Sequence, residues 1–171
     1  MPKKPLTKDE IKELSNLLID LFDHISRLKQ RNQLANRIQY PKIPSILSES
    51  IIIHLINDGK ILEDLRGYSV NFGGKKGDIL ISTDAHELQI EVKATAKSAF
   101  EYFGKKDITA DYLIWIHFGS YFLGANDNLI EVNVVRQPSR YFEEPVKITL
   151  SKLKQAIGDD LKVVQLNLNE L

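Results

Sequence analysis

The 171-residue chain contains no cysteine. Disulfide frameworks, zinc ribbons, thiolate nucleophiles and iron–sulfur ligation all use cysteine side chains, so these classes are excluded. The longest apolar runs, such as 51–53 and 112–116, are far shorter than the ~20 residues of a membrane helix. No apolar segment follows the initial Met-Pro-Lys-Lys, as one would in a signal peptide. We therefore expect a soluble, unprocessed cytoplasmic protein without a membrane partner.

The chain also lacks an excess of either charge, since 23 Lys and Arg residues balance 23 Asp and Glu residues. Binding to a polyanion would then require a local basic patch or a bound cation. At roughly 150 residues per domain, the length favours a single domain with a sizeable core. No internal repeat, low-complexity run or linker divides it.

The N-terminal residues 1–40 are expected to form a helical element. Thr7 and Glu10 have the spacing of a capping box, which predicts a helix start. Apolar residues then recur at helical spacing: Ile11, Leu14, Leu17, Leu18, Leu21, Phe22, Ile25 and Leu28. This stripe predicts a helix that packs on its own domain, and a seam between two copies is the alternative.

The rest of the chain predicts a mixed arrangement of helices and strands. Ser45 can cap a second helix that ends at Asp58-Gly59. Beyond Gly67 the pattern predicts strands at 68–72, 78–82, 87–94, 112–118, 129–135 and 161–168. Further helices are predicted at 96–103, stopping at Gly104, and at 151–157. The order favours an α/β or α+β fold with helices packed on a mixed sheet.

Two acidic residues lie on neighbouring predicted strands. Asp78 follows a glycine-rich turn, and Glu91 lies on the strand that folds back beside it, so the two carboxylates can meet. Side chains alternate along a strand, and Lys93 therefore shares the face of Glu91. Two carboxylates plus water are ligands that Mg²⁺ prefers. A nearby ammonium could orient an attacking water and offset charge on a phosphate.

The same trio has a structural interpretation, because charged side chains are common on the solvated face of a hairpin. Two features favour the functional interpretation. The neighbouring positions on both strands are apolar, and the glycine turn leads directly to Asp78. A polar trio inside an apolar hairpin indicates a site.

Asp78, Glu91 and Lys93 resemble the signature of the PD-(D/E)XK nuclease superfamily, and within it the type II restriction endonucleases. That signature is an Asp on one strand and an acidic-x-Lys on the next; Gly77 stands where many members have proline. The resemblance covers 45–118 as a catalytic core within a single nuclease domain, 1–171. It implies a restriction-endonuclease-like α/β (α+β) fold with a mixed central sheet flanked by helices.

The resemblance also implies roles. Asp78, Glu91 and the carbonyl of Val92 would bind Mg²⁺, and Lys93 would act on the nucleophile. Glu49, on the second predicted helix, would organise outer water as a further catalytic residue. Its structural alternative is an exposed first-turn glutamate favoured by the helix dipole.

The function implied is Mg²⁺-dependent, site-specific hydrolysis of double-stranded DNA to 5′-phosphate and 3′-hydroxyl ends. The enzyme would act as a homodimer, and a cognate methyltransferase could belong to the same system. Two alternatives stay open: a DNA-repair or Holliday-junction nuclease of the same superfamily, and a non-catalytic DNA-binding subunit with this fold. The intact acidic and lysine positions argue against the second.

DNA contacts are expected from side chains around the hairpin and in later loops. The candidates for phosphate contacts are Lys75, Lys76, Lys97, Ser98, Lys105, Lys106, Arg136 and Arg140. Candidates for reading base edges, besides the two arginines, are Asn126, Asp127, Asn128, Gln137 and Ser139.

Overall fold

The computed structural model describes residues 3–124 and 129–171. Its α-helices are α1 (Lys8–Arg31), α2 (Ser45–Asn57), α3 (Lys105–Thr109) and α4 (Leu150–Ile157). Its strands are β1 (Ser69–Phe72), β2 (Ile79–Ser82), β3 (Glu87–Thr95), β4 (Phe100–Phe103), β5 (Tyr112–His117), β6 (Leu129–Arg136), β7 (Val146–Thr149) and β8 (Lys162–Asn167). No helix in the described ranges is both long and apolar enough to cross a membrane.

The central sheet has six strands in the order β1-β2-β3-β5-β6-β8. Strands β1, β2 and β3 form an antiparallel meander, whereas β5 pairs parallel to β3. A parallel pair requires a crossover connection. Here β4 and α3 supply it, and β4 pairs with β7 in a separate two-stranded sheet. The result is an α+β fold with a mixed sheet, as predicted from the helical and strand-like spacing of apolar residues along the sequence.

Strand β5 is the centre of this sheet and is buried on both faces. Ile114 and Ile116 face the larger core, which includes α1 and α2. Leu113 and Trp115 face a second core built with β4, β7 and α4. All four side chains are fully buried, so β5 holds β3 in place from one edge. This confirms the sequence-based prediction of a central strand at 112–118.

Helix α1 begins as predicted but buries a different face. Glu10 N–H donates to Thr7 Oγ1, and Thr7 N–H donates to Glu10 Oε2, which confirms the capping box. The buried residues of α1 are Ile11, Ser15, Leu18 and Phe22. Leu17, Leu21 and Leu28, which we expected in one packed stripe, are exposed. The predicted stripe therefore combines one packed face and one open face.

The helix predicted at 96–103 is wrong. Residues 100–103 form β4, because this segment pairs with β7, a partner far away in the sequence. Gly104 does not end a helix but precedes α3, where its N–H donates to Asp107 Oδ2 at 2.6 Å. Ser45 is likewise the first residue of α2 and not its cap; Pro44 holds the cap position without a side-chain hydrogen bond.

A glycine turn connects β1 to Asp78. Gly73 N–H donates to the carbonyl oxygen of Asp78, and Gly74 has a positive φ of 61°. A Cβ atom on Gly73 would run into the carbonyl oxygen of Gly77, so the chain can close this tightly only with glycine at that position. The turn thus fixes where Asp78 enters β2.

We expect Gly73→Ala to lower the free energy of unfolding by about 1–3 kcal/mol, because the backbone must shift to admit the methyl group. The thermal midpoint should fall by roughly 2–4 °C for each kcal/mol in a chain of this size. Gly77→Ala is the matched control, since its Cβ would lie at an ordinary distance of 3.5 Å from its nearest neighbour. Equal losses in thermal melts of both variants would contradict this account of the turn.

Candidate functional site

Asp78 and Glu91 meet where β2 begins. The register pairs Ile79 with Ile90, which places Asp78 level with Glu91 on the neighbouring strand. Val92 N–H donates to Asp78 Oδ2 at 2.9 Å. The N–H and C=O of one strand residue point the same way, so the Val92 carbonyl also faces the Asp78 side. The predicted meeting of the two carboxylates is confirmed.

Glu91 is the buried member of the pair, with a relative exposure of 4%. Its Oε1 accepts no well-directed hydrogen bond, although the ammonium of Lys106 lies 3.1 Å away. The same ammonium is 3.8 Å from Asp78 Oδ1. A single positive charge from α3 therefore faces both carboxylates.

Burial raises the pKa of Glu91 to about 7, with the charge of Asp78 acting in the same direction and Lys106 opposing both. Burial also raises the pKa of Glu49, again helped by Asp78. Near neutral pH, Glu91 is therefore close to its own titration point, and it gains from any cation placed beside it.

Glu49 lies on α2 and reaches the same edge of the sheet. It lines a small cleft of about 110 Å³ together with Asp78, Ser45, Lys3, Phe72, Gly74 and Gly77. The cleft is the entrance to the carboxylate pair from the side of α2. The predicted proximity of Glu49 to Asp78 is confirmed, and its role with water stays a prediction.

Lys93 lies on the same face of β3 as Glu91, as the alternation predicted. Its ammonium forms an ion pair with Asp107 Oδ2 at 3.0 Å and is one quarter exposed. Burial raises the pKa of the nearby Glu101 carboxyl, while the charge of Lys93 lowers it. The lysine is thus held between two acids that sequence reasoning did not single out.

The other predicted DNA contacts are spread around the fold. Lys75, Lys97, Ser98, Lys105 and Arg140 are exposed in turns or at the start of α3. Lys76 forms an ion pair with Glu87. Arg136 lines a cleft of about 600 Å³ on the face of the sheet opposite Glu91. Gln137 and Ser139 are exposed beside it, and Asn126, Asp127 and Asn128 lie outside the described residues.

Sequence reasoning missed Lys106, Asp107 and Glu101 as members of this cluster. Lys106 was expected only as a phosphate contact, whereas it faces Asp78 and Glu91. The spacing of Gly104 and Asp107 was the one available signal, because an acid at the third helical position often caps a helix start. A predicted helix start at 105 would have made Lys106 and Asp107, in its first turn, candidate members of the site.

The donor set fits a hard divalent cation. Two adjacent carboxylates, a strand carbonyl and room for water match what Mg²⁺ takes from proteins. The buried Glu91 Oε1 accepts no well-directed hydrogen bond and already has an ammonium 3.1 Å away, which supports a cation at this point. Across 3–124 and 129–171, no group of three or more His, Asp or Glu side chains could hold a metal. Water and substrate would therefore supply the remaining ligands.

No protein-family model matches this chain, and neither does any curated protein or solved structure. The candidate site rests on its own residues and distances.

Because the pKa of Glu91 is higher in the folded protein than its ordinary value of 4.5, its protonation stabilises the fold. That stability is fully present below about pH 4.5 and is lost as the pH rises through about 7. We therefore expect Glu91→Gln to gain stability relative to the native chain between pH 5 and pH 8. Urea unfolding in the presence of EDTA measures this difference.

Glu63→Gln is the control for that experiment, because Glu63 is an exposed glutamate that lines the cleft beside Arg136, on the face of the sheet opposite Glu91. Parallel stability curves for Glu91→Gln and the native chain across this pH range would contradict the assigned shift.

Proposed function

We propose that this protein is a Mg²⁺-dependent endonuclease that hydrolyses double-stranded DNA, of the site-specific restriction type. The observation that carries the proposal is the carboxylate pair of Asp78 and Glu91 with Lys93 on the same face of β3. These three residues were singled out by their spacing; Asp78 and Glu91 lie level where the β2–β3 pairing begins, and Lys93 lies two residues further along β3 on the Glu91 face.

The strand arrangement supports the proposal. The resemblance implies a helix, three strands, a helix and a strand over 45–118, and α2, β1, β2, β3 and β5 follow that order. Between β3 and β5 the chain departs from it, because the strand β4 and the short helix α3 stand where one helix was expected. Strand β3 pairs with β5 along one edge. Along its other edge β2 pairs with β3 only as far as Ile90, so no strand pairs with the backbone of Val92 on that side. A cation site at this edge is open to a phosphate from outside.

Asp78, Glu91 and the Val92 carbonyl would hold Mg²⁺. When bound there, the ion would polarise the scissile phosphate and lower the pKa of a bound water. Lys93 would orient the attacking water and offset the charge that develops on phosphorus. The water oxygen bonds to phosphorus while the bond to the 3′ oxygen breaks, which leaves a 5′-phosphate and a 3′-hydroxyl. Glu49 would order outer water.

Asp107 acts as a positioning residue in this proposal. Its Oδ2 accepts from Gly104 N–H and contacts Lys93 Nζ, so one carboxylate ties the start of α3 to the lysine. Asp107 itself is nearly fully buried, with 6% exposure. The ion pair with Asp107 thereby fixes the Lys93 ammonium on the Glu91 face of β3.

Asp78→Ala and Lys93→Ala should each reduce Mg²⁺-dependent cleavage of DNA by about a hundredfold or more, because each removes a group from the reacting centre. The circular dichroism spectrum should stay unchanged. Asp84→Ala and Lys147→Ala, at exposed positions in the β2–β3 turn and on β7, are the matched controls. Full cleavage by either site variant would refute the assignment.

The substrate test is a digest of phage DNA with Mg²⁺ or with EDTA, analysed on a gel. Discrete bands only with Mg²⁺ support the site-specific endonuclease. Cleavage of branched substrates alone would favour a repair or junction nuclease. Binding of DNA without any cleavage would favour the non-catalytic subunit.

Lys106→Met should strengthen Mg²⁺ binding about fivefold, because the ammonium competes with the metal for the same carboxylates. Two unit charges ~4 Å apart in water interact with about 1 kcal/mol. Isothermal titration at pH 8.5, above the pKa of Glu91, measures the affinity. Lys105→Met is the control, since Lys105 is the exposed neighbour on α3. Weaker binding by Lys106→Met alone would show that the ammonium supports the metal site.

A further inference from the structure

Helix α1 carries a row of leucines that the other described residues leave uncovered. Leu17 is 60% exposed, Leu21 46% and Leu28 49%. Two more exposed apolar residues, Leu34 and Ile38, follow the helix. Among the described residues, nine large apolar side chains are more than 40% exposed, and these five are more than half of them. The segment from α1 to Ile38 therefore carries more of these exposed apolar side chains than the rest of the described residues.

The row is distinct from the face that packs against the core. Successive helix residues are 100° apart, so the buried residues Ile11, Leu18 and Phe22 point about 60° to 120° away from Leu21 and Leu28. Leu14, partly buried, lies at the end of the exposed row. Leu14, Leu17, Leu21 and Leu28 follow one another at steps of three, four and seven residues. This is the spacing of apolar residues in a helix that pairs with another helix.

The charges along one edge of this row have opposite signs at its two ends. Glu13 and Arg31 are eighteen residues apart, which is five helical turns, so they stand in line on the same edge. Asp20 and Arg27 lie behind them on that side, and all four side chains are exposed. The edge is acidic toward the N-terminus of α1 and basic toward its C-terminus.

We propose that α1 pairs with α1 of a second copy of this chain, in antiparallel orientation about a two-fold axis near Leu21. A two-fold interface brings the same surface together from both copies. An antiparallel pair places the acidic end of this edge along the basic end of the same edge in the other copy, whereas a parallel pair would place this edge against the opposite edge of the partner's leucine row. It also covers the leucine row, which is otherwise in water.

The position of the axis follows from the symmetry of the row. Leu14 and Leu28 are equally distant from Leu21, so an antiparallel match of the first two places Leu21 against its own copy. The helix is about 36 Å long, which gives the pair a contact over several turns. A stable dimer commonly buries about 800 Å² on each partner. Leu34 and Ile38 would add to the helix contact.

The inference stands apart from the proposed nuclease activity, because none of the residues in the row touches the carboxylate pair. A monomer that cleaves DNA would refute the dimer and leave the nuclease intact. A dimer without cleavage would do the opposite.

The absence of native cysteine makes a direct test possible. Leu21→Cys should form a disulfide-linked dimer under mild oxidation, because the two sulfur atoms would meet at the axis. Leu28→Cys alone should not, whereas a mixture of Leu14→Cys and Leu28→Cys chains should cross-link to each other. Efficient cross-linking of Leu28→Cys to itself would indicate a parallel pair and refute the proposal.

The oligomeric state in solution is measured by sedimentation velocity of the full chain over a range of concentrations. Leu21→Glu should weaken self-association at least tenfold, because it buries a charge at the axis of both copies. Val163→Glu is the matched control, as Val163 is 42% exposed on β8. A monomeric native chain at every concentration, or equal dimers for both variants, would overturn the inference.

Charge reversal tests the orientation separately. Glu13→Arg and Arg31→Glu should each weaken the dimer several-fold, since each creates like-charge contacts with the second copy. The double variant should restore the native association constant, because its acid and base again face each other in the antiparallel pair. Failure of the double variant to recover would exclude the proposed alignment.

Discussion

Glu91 keeps only 4% of its surface exposed, yet it lies beside a second carboxylate, Asp78, at the start of β2. A like charge beside a buried carboxyl group disfavours its ionisation, as it does for Glu91. Two contacts among the described residues offset this unfavourable free energy. The backbone N–H of Val92 donates to Asp78, and Lys106 brings an ammonium to within contact of both acids. The polar contacts at this end of β3 follow from that one constraint.

The pair cannot relax by sliding the strands. Ile79 and Ile90 oppose each other and are both fully buried against α2 and the larger core. A slip of one residue would move Glu91 into this apolar core and Ile90 out of it. Burial on one face of the sheet therefore keeps the charged groups together on the other, and packing energy maintains an arrangement that electrostatics alone opposes.

The parts of this arrangement that sequence could predict are those set by local periodicity. The period of two placed Glu91 and Lys93 on one face, and the glycine turn placed Asp78 opposite them. The position of Lys106 beside the two carboxylates could not be predicted in the same way. It depends on the pairing of β4 with β7, because this pairing makes 100–103 a strand, so the helix begins at 105 and not at 96 as predicted. The α1 stripe failed for a related reason: helical spacing shows which positions are apolar, but only the tertiary contacts show which of two apolar faces is covered.

A carboxylate with a pKa near 7 beside a lysine is shared at neutral pH among three cations: a proton, the Lys106 ammonium and any divalent metal. Each neutralises the same buried charge, so each must weaken the binding of the other two. Acidification should then expel the metal through Glu91 before it affects the fold, because protonation of Glu91 stabilises the folded chain. Burial makes the pair of carboxylates unfavourable when no cation is beside it. A divalent cation would be favoured over one ammonium there, because its double charge offsets both acids, whereas one ammonium offsets only part of their charge. A site built this way would bind a divalent metal by relieving a repulsion that the fold itself imposes.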